Sequence, residues 1–141
     1  MNRKAFLTVV AFIALVVGAF ALLAPSALLA SKGVAPSEAA NVWVREVGIA
    51  ILATGVATFL LRGHDDTPTL RAFLVGSAVL QAGLFPIEIV AYAHGIITRA
   101  SGVVPNSVLH VLLAGGFAYF AARVRTATPT RVRSEETKLL T

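Results

Sequence analysis

Cysteine is absent from this chain, which excludes disulfides, thiolate metal sites and a cysteine nucleophile. Charge is almost as scarce. Only 13% of the 141 residues are Asp, Glu, Lys or Arg, against roughly a quarter in a soluble domain. Hydrophobic residues make up 57%, more apolar surface than a single small core can hide, so lipid is the expected solvent for much of it. The net charge of +5 does not point to nucleic acid. The basic residues sit beside apolar segments, where anionic headgroups are the natural partners.

What charge there is avoids four long intervals: Lys4 to Lys32, Glu46 to Arg62, Arg71 to Glu88, and Arg99 to Arg123. A helix needs about 20 mostly apolar residues to cross a hydrocarbon core. The sequence therefore predicts an all-α, four-helix transmembrane bundle over residues 1–124, with helices at about 5–24, 36–61, 68–95 and 107–124. Residues 125–141 form a basic, threonine-rich tail, expected to be disordered. Pro25-Ser26 closes the first helix and a loop of small residues follows. Pro36-Ser37-Glu38 and Thr67-Pro68 are helix starts, with proline in the first turn. A loop over Thr98 to Ser107 is expected to cap the last helix. The start, Asn2-Arg3-Lys4 followed by an apolar run, resembles a signal peptide. Its apolar stretch exceeds the usual 7–15 residues, so a retained helix is expected.

Orientation follows from Lys and Arg in the short loops. Arg3, Lys4, Arg62, Arg71, Arg123, Arg125, Arg131, Arg133 and Lys138 fall on one side, and Lys32, Arg45 and Arg99 on the other. This bias predicts cytosolic N- and C-termini in a multi-pass protein of the cytoplasmic membrane. Trp43 and Tyr92 then lie near the outer interface and Tyr119 near the inner one.

With that topology, Glu46, Glu88 and His110 reach similar depth on three helices, on the order of 5–10 Å below the outer boundary at ~1.5 Å per residue. A charge facing lipid is expensive, so each is expected to turn inward. On the third helix Ser77, Gln81, Glu88 and Tyr92 share a stripe. Glu46, Ala50, Ala53 or Thr54, and Ala57 do so on the second, and His110, Ala114, Ala118 and Ala121 on the fourth. Ala14 and Gly18 supply close packing on the first. Pro86 lacks the N–H that the Ala82 carbonyl needs and is expected to kink the helix just before Glu88.

Two readings of this polar layer compete. Arg45 bridging the acids makes it an ion network that fixes helix register. Alternatively, Glu46, Glu88 and His110 are candidate catalytic or proton-exchange groups, with Trp43, Arg45, Gln81 and Tyr92 lining a ligand site. His94 at the rim adds a possible metal ligand, and two histidines a possible haem ligation; no attachment motif accompanies them, and no metal is assigned.

The segment Trp43-Val44-Arg45-Glu46-Val47-Gly48 through Gly55, with four passes, resembles the DoxX-like superfamily of small bacterial membrane proteins. The stretch His110 to Phe120, HVLLAGGFAYF, is similar to the last helix of members of that group. The resemblance implies a four-helix bundle, with roles such as quinone-linked oxidoreductase subunits and accessory or chaperone-like proteins. A more distant likeness is to sterol-isomerase-type proteins, which hold acids around an apolar ligand; no catalytic residue is carried over. Small multidrug exporters share the size, but their essential acid lies in helix one, where this chain has none.

The function expected is binding of an apolar or amphipathic small molecule, of quinone, isoprenoid or lipid type, in the outer half, with proton transfer as the chemistry on offer. No cofactor is specified. The alternatives are a non-catalytic accessory or assembly subunit, in a homo-oligomer or larger membrane complex, and a proton-coupled small transporter.

Overall fold

A computed structural model describes residues 2–125; the predicted tail beyond Arg125 lies outside them. Among the described residues the chain is all-helical: α1 (Arg3–Leu23), α2 (Pro25–Ser31), α3 (Glu38–Leu61), α4 (Pro68–Ala93) and α5 (Ala100–Arg123). Four of these, α1, α3, α4 and α5, are long and apolar enough to cross a membrane. At 21 to 26 residues and ~1.5 Å per residue they measure about 32–39 Å, against a ~30 Å hydrocarbon core. Large apolar side chains point outward along them, with Phe12 67% and Leu112 66% exposed, the pattern expected where lipid is the solvent.

The starts at Ser37 and Thr67 fall where expected, although Pro36 lies before the Ser37 cap and not in the first turn; α1 carries a cap of its own. The side chains of Asn2, Ser37 and Thr67 accept from the third backbone N–H beyond them and cap α1, α3 and α4. Two expectations fail. The loop after Pro25 is the helix α2: Pro25 ends α1 and also occupies the first turn of the next helix, where its missing N–H costs nothing. The loop over Thr98 to Ser107 is mostly the first two turns of α5, which begins at Ala100 and runs through Pro105. Tertiary contact explains the second case. The backbone N–H groups of Thr98 and Arg99 donate to the Lys32 carbonyl, both at 3.2 Å. A Cβ on Gly102 would come within 2.8 Å of Lys32 Cα. The end of α2 is thus pressed against the entry to α5. Helix α4 likewise continues through Pro86.

Helix α1 packs along α3, and α4 along α5; α1 also touches α5 and joins the two pairs. The α1–α3 crossing is set by glycine. A Cβ on Gly18 would lie 2.9 Å from the Gly48 carbonyl oxygen, and one on Gly48 would lie 2.8 Å from the Leu22 nitrogen. Only bare backbone permits this approach, which is how helices associate when lipid removes the hydrophobic drive. Gly55 meets Leu15 and Ala14 one step further along. The buried residues of α3 are therefore Gly48, Gly55 and Thr58. Of the expected stripe, Glu46 and Ala50 are exposed, whereas Thr54 and Ala57 are half-buried. On α5 the buried line is Val103, Ser107, Leu113, Phe117 and Ala121, and Ala118 of the expected stripe is exposed.

The apolar core lies at the end holding both the start of α1 and the end of α5. Phe6, Leu7 and Val10 meet Leu70 and Leu74 of α4 and Leu113, Phe117 and Ala121 of α5. Phe6 stands edge-on to Phe117, centroids 5.2 Å apart. Asp66, in the α3–α4 turn, closes this end. It pairs with Arg3 and accepts from the Arg125 backbone N–H at 2.9 Å. Arg3 also donates to the His64 carbonyl at 2.6 Å. Arg62 and Arg123 lie over the rings of Phe59 and Tyr119.

Gly48→Val should separate α1 from α3 and lower stability by about 1–3 kcal/mol. Gly76→Ala, with open space around the added Cβ, should be neutral or slightly stabilising; thermal unfolding in detergent compares the two. The Arg125 N–H and then the Arg3 guanidinium hold the Asp66 carboxyl below its usual range. A depressed folded value means its stabilisation is full above the unfolded carboxylate range and lost as pH falls through the folded value. Asp66→Asn should therefore lower the unfolding temperature at neutral pH and flatten its fall on acidification.

Candidate functional site

At the opposite end, five polar side chains from three segments form one continuous chain. Lys32, just past α2, pairs with Glu88 on α4. The Asn106 side-chain nitrogen donates to the same carboxylate oxygen at 2.7 Å, and that nitrogen lies 3.1 Å from His110 Nε2. His110 Nδ1 is 2.6 Å from Gln81 Oε1, back on α4. Helical spacing builds each side. Asn106 and His110 are four apart and stack on one face of α5. Gln81 and Glu88 are seven apart on the inward line of α4 that begins with Leu70, Leu74 and Ser77.

Lys32 reaches Glu88 because Gly33 lets the chain reverse. Its φ of +74° closes α2, and its carbonyl accepts from the Thr98 hydroxyl at 2.9 Å. A Cβ there would collide with that hydroxyl. The Lys32 and Glu88 side chains retain 20% and 14% of their accessible surface. One carboxylate oxygen, Glu88 Oε2, is buried without a protein partner.

The far end of this polar chain opens on a cavity of about 120 Å³ between the α1–α3 and α4–α5 pairs. Gln81, Asn106 and His110 are on its wall, together with Ser77 and Thr54. The rest is aliphatic or aromatic: Val10, Ile13 and Val17 of α1, Ile51 of α3, Leu80 and Leu84 of α4, and Leu113 and Phe117 of α5 among them. For scale, a dry cavity of roughly 150 Å³ holds one benzene. This space is somewhat smaller, so it holds a few methylenes or most of a ring, and the rest of a molecule must extend out between the helices.

Of the residues expected to converge, the structure joins Gln81, Glu88 and His110. It does not bring in Trp43, Arg45, Glu46 or Tyr92, which are exposed and absent from the cavity wall. Arg45 and Glu46 form no ion pair among the described residues. Glu46 misses because Gly48 faces α1, and two residues is about 200° of helix, which turns Glu46 to the opposite side. His94 caps α4 and is exposed. No group of three or more His, Asp or Glu side chains suited to a metal occurs among the described residues. Lys32 and Asn106 are the partners that sequence reading missed. Lys32 counts as an outer-loop charge, yet it is the sole charge between Lys4 and Glu38. Asn106 was hidden by the loop expected before Ser107, although its spacing of four from His110 is a helical signal.

Chemically, the arrangement offers a partly desolvated ion pair, a neutral hydrogen-bond relay and an apolar chamber at the relay's end. Comparison with known protein families, characterised proteins and solved structures finds no match for this chain.

Removing one member of the ion pair leaves the other charge stranded. Lys32→Met is expected to cost up to about 3 kcal/mol, less than a fully buried pair because both side chains keep some solvent. The double change Lys32→Met with Glu88→Leu should recover most of that loss, as read from thermal unfolding in detergent.

Proposed function

We propose that this chain is a multi-pass protein of the cytoplasmic membrane, with both termini cytosolic, that binds a ring-sized apolar or amphipathic group between its two helix pairs. The observation that carries this reading is the cavity itself: apolar over most of its wall, with Gln81, Asn106 and His110 gathered at one end. A small-molecule site usually has this form. A quinone head, an isoprenoid unit or a lipid terminus is the kind of group such a wall suits, with part of it extending out between the helices. Trp43, Arg45 and Tyr92 serve in this reading as interfacial anchors at the outer boundary. Glu46 sits beside them in the headgroup layer.

A specific observation favours a second reading, that of an accessory subunit. The chain from Lys32 to Gln81 is largely satisfied within the protein, as a device for fixing helix register would be. Proton-coupled transport has no such support: the core at the Asp66 end is apolar, and no buried acid or histidine occurs there among the described residues.

Native mass spectrometry of the purified protein, with solvent extraction of what it carries, separates the two. Ligand binding predicts one defined small molecule on the wild type. It should be lost in Val17→Phe, which fills the cavity from a partly exposed position, and in His110→Ala, with both variants folded. A wild type carrying nothing beyond bulk lipid, combined with a His110→Ala protein that unfolds, supports the accessory role instead.

A further inference from the structure

The Glu88 carboxylate sets the direction of every hydrogen bond between itself and the cavity. A carboxylate only accepts, so Asn106 must turn its amide nitrogen towards it, as it does at 2.7 Å. The second hydrogen of that nitrogen faces His110 Nε2 at 3.1 Å, which makes Nε2 the acceptor and places the ring proton on Nδ1. Nδ1 then donates to Gln81 Oε1 at 2.6 Å. The Gln81 carbonyl is thereby committed. Its amide nitrogen donates to no protein group among the described residues, and Gln81 lines the cavity. Two of the remaining polar groups on the wall are hydroxyls. Thr54 donates to the Ala50 carbonyl at 2.8 Å, and the Ser77 hydroxyl, with no protein partner among the described residues, can donate or accept and so does not discriminate between ligand types.

We infer that Gln81 Nε2 anchors a hydrogen-bond acceptor, so that the cavity selects ring-sized carbonyl compounds, ketones or quinones, over hydroxyl compounds of the same shape. Lys32 and Glu88 are positioning residues. They lie outside the cavity wall and fix its selectivity through Asn106 and His110. The inference rests on the cavity reading above and adds the chemical class of the ligand to it. The competing anchor is the Asn106 carbonyl oxygen, which would favour a hydroxyl compound instead.

Fluorine NMR titrations of the full-length protein in detergent decide the matter with three probes: fluorobenzene, 4-fluoroacetophenone and 4-fluorophenol. Subtracting the response of Val17→Phe removes partition into the detergent. Fluorobenzene should bind the wild type, and the ketone should bind about five- to tenfold more tightly than the phenol, the gain of one neutral hydrogen bond. Gln81→Leu should reduce the ketone to the affinity of fluorobenzene. Glu88→Gln can present either end of its amide to Asn106 and should bring the ketone-to-phenol ratio close to one, a change that loss of stability alone would not produce. If fluorobenzene binds but the phenol equals or surpasses the ketone, the directional wiring is wrong and the cavity reading stands. A ratio unchanged in Glu88→Gln removes the positioning role. Should that variant fail to fold, Gln81→Leu alone carries the test, and a ketone affinity unmoved by it overturns the proposal. Failure of fluorobenzene itself to bind overturns both readings.

Discussion

The contact between Lys32 and Glu88 is the constraint on which the polar half of this protein depends. In a hydrocarbon environment an unpaired carboxylate is costly, and helices gain little from apolar contact with one another. The ammonium answers the first problem and also ties the α2 turn to α4. The glycine at position 33 and the carbonyl of Lys32, which receives the N–H groups of Thr98 and Arg99, keep that turn in place. From this fixed point the orientation of Asn106, the tautomer of His110 and the facing of Gln81 follow in sequence.

The two ends of the molecule use different physics. At the Asp66 end aromatic and branched side chains pack, and a surface carboxylate gathers the start of α1 and the end of α5. At the Glu88 end the helices are held by polar contacts between side chains. Between them the pairs α1–α3 and α4–α5 do not fill the space, and the cavity occupies that gap.

The spans were legible because uncharged intervals of fitting length admit few other readings in a chain so poor in charge. The cap at Thr67 and the helix start near Ser37 were legible from local chemistry alone. Helix rotation was not. Glu46 was drawn inward by the cost of charge in lipid, whereas backbone contact between Gly18 and Gly48 turned it outward. Burial arguments rank residues by polarity, but a glycine contact acts through a missing side chain and leaves little trace in hydropathy. Lys32 and Asn106 escaped for a related reason. Each lies in a segment whose helical or docked state depends on the other, Lys32 against Gly102 at the entry to α5.

The most direct test of the central claim is the tautomeric state of His110, read by nitrogen NMR of the selectively labelled imidazole in the folded protein in lipid. The relay requires a neutral ring with its proton on Nδ1 and a bare Nε2. A neutral ring protonated on Nε2, or a ring carrying both protons, would mean that Asn106 does not donate to it, and the ordered path from Glu88 to the cavity would not exist.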